Sequence, residues 1–410
     1  MRAYSMIVLM LHAASPVWAD RPVFVPLGRN GVSATIAMGI SDDARTIVGY
    51  QFETGFPNDA VVWRSTGVEV LPKLAPGVTN AIAYKTNADG TTIVGQSETF
   101  AVRWDATGAV ENLGLASGSY AYDLTPGGGT IVGRELFLGG GGRAFVLSSS
   151  GVTFFADAYE FLSVSSGGDV RVGTALDGDD RSQAIWADDA GVYSIDHGID
   201  TEFSSATSVS ADGSTIAGWW NGERDGQWGA ECFRWDMTSG HTWLGKLPGW
   251  HGGGDGAAAM TADGSVIVGY GASNYSSNPN WDSTASIWTA DEGNQILQEY
   301  LLAKGTIGLA DWHLTLAQDI TPDGRAIVGY GYNGDGEIEA WVVYLDPTLA
   351  PCVLYGDLFG DNEVDLADLG ILLADFGCGG ADCEGDVDGD GDTDLSDLGI
   401  VLSEYGQSCP

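Results

Sequence analysis

One unit recurs seven times along this chain of 410 residues, and it restricts the fold more than any other feature. Each copy is centred on a short apolar, mostly β-branched run closed by glycine: Ile47-Val48-Gly49, Ile93-Val94-Gly95, Ile131-Val132-Gly133, Arg171-Val172-Gly173, Ile216-Ala217-Gly218, Ile267-Val268-Gly269 and Ile327-Val328-Gly329. Upstream lies an alternating run ending in a turn, which reads Asp-Gly at Asp89-Gly90, Asp212-Gly213, Asp263-Gly264 and Asp323-Gly324. An Asp-Gly step between alternating apolar runs is a hairpin signal. Downstream a third run ends in Trp63, Trp104, Trp186, Trp235 or Trp288, with Trp341 slightly earlier in its run and Leu147 in the third unit, and a fourth run follows a small turn.

Repetition at this period means an array whose units bury their faces against one another. Four strands per unit, 38 to 60 residues apart, describe blades. The expected fold is therefore all-β, a seven-bladed β-propeller. The last unit stops near Tyr344-Leu345 without a fourth strand, whereas Val23-Phe24-Val25-Pro26-Leu27 precedes the first. That N-terminal strand is expected to complete the last blade. The repeated tryptophans read as blade core. A segment with helical spacing, Gln295 to Lys304, is expected to pack over the blades on either side of it.

The repeat pattern Ala-x-x-Ile-Ser/Thr-x-Asp-Gly-x-x-Ile-Val-Gly, followed by Ala-x-x-Trp, resembles that of bacterial extracellular HAF-repeat proteins over about residues 23–345. The resemblance implies an exported repeat protein and brings no catalytic residues.

Charge narrows the partners. Against 56 acidic residues stand 17 Lys and Arg, a net charge of -39. Nucleic acid is an unsuitable ligand, because its binding depends on neutralising phosphates with basic side chains. Residues 1–19 read as a cleavable signal, with Arg2, an apolar run from Met6 to Ala14 and the small-residue site Val17-Trp18-Ala19. The apolar run is too short to span a bilayer, so no membrane insertion is expected and the localisation reads as extracellular or cell-surface.

The remaining organisation follows: a propeller over residues 20–346, a linker at 347–354 and a small module at 355–410. The last 60 residues carry 15 acidic groups and no Lys or Arg. Within them, Asp386-Val387-Asp388-Gly389-Asp390-Gly391-Asp392-Thr393-Asp394-Leu395-Ser396-Asp397 matches a 12-residue calcium loop. Calcium takes six to eight oxygens, supplied from positions 1, 3, 5, 7, 9 and 12. Asp386, Asp388, Asp390 and Asp397 are candidates for direct ligation, Asp392 through its carbonyl and Asp394 through water. A degraded copy lies 29 residues earlier, with Asp357, Asp361, Glu363, Asp365 and Asp368 at ligand positions. There Phe359 replaces the ligand at position 3, and Asn362 the turn glycine. A short amphipathic helix follows each loop, and the two are expected to bury their Leu/Ile faces against each other.

This duplicated loop-helix unit resembles type I dockerin modules over residues 355–406. The resemblance implies a calcium cofactor and attachment to a cohesin-like or other cell-surface protein. The basic residues that many cohesin-binding members carry are absent here.

Five cysteines in an exported chain suggest disulfides. Of the three pairings open to the C-terminal four, Cys352 with Cys409 and Cys378 with Cys383 are expected, leaving Cys232 as a buried hydrophobe. In the propeller, the long loops of the fifth and sixth units carry Trp219, Trp220, Trp228, Trp250, Tyr275 and Trp281, candidates for stacking on a polysaccharide or a protein partner. No catalytic constellation stands out. The sequence favours a secreted, non-enzymatic binding or assembly protein, with a polysaccharide-degrading hydrolase or lyase recruited through its dockerin as the alternative.

Overall fold

The structure is a computed structural model that describes residues 21–29, 31–54, 58–137, 141–195, 201–224, 227–248, 255–272, 283–351, 354–380, 383–389 and 391–409. Among these, the strands form seven antiparallel sheets of four, the blades of a propeller. In the first blade the strands run outward from the axis as Ala34–Ile40, Ile47–Phe52, Asp59–Arg64 and Gly67–Val70. The other blades repeat this order.

The ring closes as the sequence suggested. Val23–Pro26 pairs antiparallel with Ile338–Tyr344 as the outermost strand of the seventh blade, in the register Phe24 to Val343 and Val25 to Val342. Phe24 is buried and meets the Trp312 ring edge-on at 5.0 Å. Buried apolar clusters fill the spaces between blades, and one of them joins residues of blades six and seven to Leu297 and Leu301. Those two leucines belong to helix α1, Leu297–Ala303, which packs on the blades as expected. Of the repeated tryptophans, Trp63, Trp104, Trp288 and Trp341 are buried. Trp186 and Trp235 are half-buried against the core between blades four and five.

Two local devices explain the repeat. The Ser, Thr or Asn just before each turn accepts a hydrogen bond from the backbone N–H five residues on, as in Thr92 N–H to Asn87 Oδ1 and Thr215 N–H to Ser210 Oγ. The same closure occurs at Ser41, Thr125, Ser165, Thr261 and Thr321. In addition, the innermost strand of every blade carries a bulge, at the steps 37/39, 83/85, 121/123, 161/163, 206/208, 257/259 and 317/319. The repeated glycine faces this bulge. A Cβ on Gly49, Gly95 or Gly329 would collide with the carbonyl oxygen of Ile36, Ile82 or Leu316 across the pair, so only glycine fits.

Helices α2, Leu366–Asp375, and α3, Leu395–Glu404, form the C-terminal part. Val364, Leu372 and Val401 are its buried centre, with Leu354, Leu358, Leu369, Val387 and Leu398 packed around them. Leu349 and Ala350 pack against the core between blades seven and one, and Leu354 belongs to the helical core. The Tyr355 hydroxyl donates to the Phe24 carbonyl of the closing strand at 3.3 Å, and burial pushes that phenol up to about 12.

Candidate functional site

The first candidate site is the pair of acidic loops. Each is wired from its first and twelfth carboxylates. Asp357 Oδ1 accepts from the N–H groups of Gly360 and Asp361, and Oδ2 from Asn362. In the second loop Asp386 accepts from Gly389 and Gly391 in the same way. Asp368 accepts from Phe359 and Asp365, while Asp397 accepts from Val387, Asp388 and Asp394. The turn at position six is left-handed in both loops, through Gly391 at φ 96° and Asn362 at φ 67°. Asn tolerates that region better than most side chains, which is how the first loop keeps its shape without glycine.

The loops differ in what converges. Carboxylate oxygens of Asp386, Asp388 and Asp397 lie within 4.8 Å of one another, and so do those of Asp392, Asp394 and Asp397. Asp397 is fully buried and belongs to both groups. This all-oxygen donor set fits a hard cation such as calcium. Among the described residues the first loop forms no such group of three, and Phe359, at its third position, is 65% exposed. Asp390 lies outside the described residues.

The two units clasp each other reciprocally. Asp375, ending α2, accepts from Gly385 before the second loop, and Glu404, ending α3, accepts from Gly356 before the first. Bridges between Glu363 and Ser408 and between Gly379 and Asp392 repeat that symmetry. Cys378 is bonded to Cys383 as expected. Cys409 is disulfide-bonded as well, and Cys352 lies outside the described residues. Cys232 is buried in the core shared by blades five and six.

The helices bury less than their sequence implied. Leu366, Leu373 and Phe376 on α2 and just beyond it are 70, 55 and 45% exposed. Their counterparts Leu395, Leu402 and Tyr405 are 72, 54 and 45% exposed. Of their apolar residues the two ten-residue helices bury only Leu372, Ile400 and Val401, and a duplicated apolar surface remains open.

The second candidate site is the central channel. Each bulge adds one residue to the channel wall, so that Met38, Tyr84, Tyr122, Leu162, Thr207, Ala258 and Gln318, one from each blade, surround a cavity of about 320 Å³. The next residue in the strand supplies the floor, where Lys85 Nζ meets Asp319 Oδ1 at 2.6 Å. Blade one lies between those partners and carries Gly39 at the corresponding position. A Cβ there would crowd the Tyr84 carbonyl and Lys85 Cα, so glycine leaves the lysine its path. Asp319 also accepts from the Ile40 N–H, and Asp123 accepts from those of Leu124 and Val164. Burial raises the Asp123 carboxyl above its ordinary range against the pull of Lys85. Burial alone would lower Lys85, but Asp319 and Asp123 outweigh it, and the ammonium is held above its usual value.

On the wall, Tyr84 and Tyr122 lie 5.4 Å apart, and Tyr120 stacks on Tyr122 at 5.9 Å. The Arg134 guanidinium sits 4.6 Å over Tyr120 and is paired with Glu160 at 2.9 Å. The sequence did hold the signal for this channel: the two variable positions in Ala-x-x-Ile, between otherwise repeated residues, are its wall and floor.

The tryptophan candidates need correction. Trp219 and Trp220 lie in the strand Thr215–Arg224, and Trp228 in Gln227–Asp236, because pairing continues to Arg224 with Gln227 where a loop was expected. Adjacent strand residues face opposite ways. Trp219 therefore lines the channel mouth, while Trp220 is 1% exposed in the core of blade five against Trp243, and offers no surface to a ligand. Trp250, Tyr275 and Trp281 lie outside the described residues.

Fold and sites together define the class: a seven-bladed β-propeller with a small helical C-terminal part. Among solved structures, the β-propeller domain of the Trilobed protease from Pyrococcus furiosus, described as having an open velcro topology, is similar with TM-score 0.50 and 12% identity. The match covers 78% of this chain and 99% of that one. A putative TolB from Agrobacterium tumefaciens is similar at TM-score 0.44 and 16% identity, over 73% of this chain and 98% of that one. TolB from Acinetobacter baumannii is similar at TM-score 0.42 and 15% identity, over 61% of this chain and 62% of that one. At such identities the likeness is one of fold. No protein-family model and no curated protein matches the chain. Among the described residues no helix is long and apolar enough to cross a membrane.

Proposed function

We propose that this chain is an exported, non-enzymatic binding or assembly protein of the HAF-repeat kind, attached to an extracellular or cell-surface partner through a calcium-dependent, dockerin-like module. The observation that carries the reading is the convergence of Asp386, Asp388 and Asp397 in a loop built like its neighbour 29 residues away. Calcium would supply there the positive charge that lets these carboxylates share one site. Asp386, Asp388 and Asp397 would hold it from the first, third and twelfth positions.

The duplicated apolar surface of α2 and α3 supports the attachment half of the reading. Residues of this size, exposed in equivalent pairs beside a cation site, suit an interface core. The partner is a cohesin-like protein, or another cell-surface protein with an apolar face.

The test is calcium titration of residues 20–410 by calorimetry. Asp386→Asn/Asp397→Asn is expected to lower affinity at least tenfold. The same protein, immobilised, should retain a cohesin-like partner in calcium and release it in chelator. No calcium heat, or retention indifferent to chelator, refutes the proposal.

A further inference from the structure

We propose that the wide mouth of the central channel binds the terminal unit of a neutral glycan, with aromatic side chains stacking on the sugar and the charged floor reading its hydroxyls. The inference rests on reading the propeller as the ligand-presenting part, and identifies the place and the ligand class.

Size comes first. A cavity of about 320 Å³ lies at the lower end of small-molecule sites and suits one or two sugar units rather than a folded partner. Beyond the floor the channel offers only about 110 Å³, so a chain would enter by its end.

Four aromatic rings stand on the walls. Tyr84, Tyr122, Trp219 and Tyr270 come from blades two, three, five and six and all line the cavity. Amphipathic rings of this kind present an apolar face to a sugar, and the Tyr84 hydroxyl is already taken up by Gln96 Oε1 at 3.3 Å. Tyr270 has its place because Gly256 opposes it: a Cβ there would strike the tyrosine ring.

The floor selects against charge. Both carboxylates already accept backbone N–H groups, and Asp319 is also taken up by Lys85. The lysine has three donors, and among the described residues one of them goes to Asp319. An anion entering there would meet the field of Asp123 and Asp319 within a protein of net charge -39. A cation would compete with Lys85 for acceptors already in use. A hydroxyl, which donates and accepts at once, satisfies both sets: it accepts from Lys85 and donates to a remaining lone pair of Asp123.

The experiment is ligand-observed saturation-transfer NMR on the full mature chain. The probes are cellobiose, xylobiose and mannobiose, with putrescine and galacturonate as charged comparators, each up to tens of millimolar. At least one neutral disaccharide should bind, and bind better than either charged probe. Ala258→Trp, which fills open cavity, should weaken that binding at least tenfold with the melting temperature retained. Lys85→Met should weaken it by a similar factor, and Trp219→Ala about fivefold or more. Chelator should leave it unchanged, which separates this test from that of the C-terminal module. The proposal is overturned if no disaccharide binds, if a charged probe is preferred, or if Ala258→Trp binds as well as the parent.

Discussion

Phe24→Ala should destabilise the whole ring, because the residue belongs to the strand that closes it. Phe24 is 2% exposed, pairs with Val343 and packs in one cluster with Leu309, Leu314 and Trp341. Truncating a buried phenylalanine costs roughly 3–5 kcal/mol, as lost transfer energy and residual cavity. With an unfolding entropy of about 2.1 cal/mol/K per residue, the roughly 320 residues from Val23 to Tyr344 give ~0.7 kcal/mol/K. The melting temperature should then fall by about 4–7 °C. Scanning calorimetry in calcium measures it, with Pro26→Ala, an exposed position of the same strand, as the control. Deleting residues 20–28 should do more, since the edge from Trp341 to Tyr344 loses its partner. A change for Phe24→Ala no larger than that of the control would refute the closure argument.

Acid should loosen the propeller through its turns. Asp89, Asp212 and Asp263 are held below the usual carboxylate range by hydrogen bonds from the residue two places on, and Asp323, which burial alone would raise, is lowered by hydrogen bonds from Thr321 and Arg325. Depressed values mean that the folded state binds fewer protons than the unfolded one. This stabilisation is present above the ordinary carboxylate pKa of about 4 and is lost as pH falls through the depressed values. Melting temperatures measured in chelator should drop between pH 5 and 2, more steeply in the parent than in a variant with all four residues changed to Asn; parallel curves would count against it. In the C-terminal part, Cys378→Ser/Cys383→Ser opens a short loop, and the chain-entropy model puts the loss at about 2 kcal/mol. Urea unfolding followed at the helical circular-dichroism signal should show the midpoint fall; an unmoved midpoint would mean that the reciprocal clasp suffices without the bond.

Much of this architecture was legible in the chain because repetition turns weak local signals into a strong one. A single Asp-Gly turn or Ile-Val-Gly run is common, but seven copies in phase specify strand, turn and core position together. The closing strand could be read from simple accounting, with one strand missing at one end and one spare at the other. The acidic loops were legible for a similar reason, since their carboxylates fall at fixed offsets in a local sequence. The channel was marked only by two variable positions in each repeat, and the sequence does not give their direction. Its wall residues are the variable ones, and they point inward only because a bulge in each inner strand adds a residue at that level.

Lys85 and Asp319 stand 234 positions apart and meet only when the ring closes around Gly39. Trp219 and Trp220 are indistinguishable as sequence, and strand alternation alone sends one to the channel and the other to the core. The same holds for the helices, whose apolar stripes predict mutual burial, whereas the size of the two-helix core decides how much is left uncovered. Sequence by itself determined what is local or periodic: the strands, the turns, the blade number and the acidic loops. Tertiary structure decided what depends on closure and on facing direction, because those contacts join residues whose separation along the chain carries no pattern.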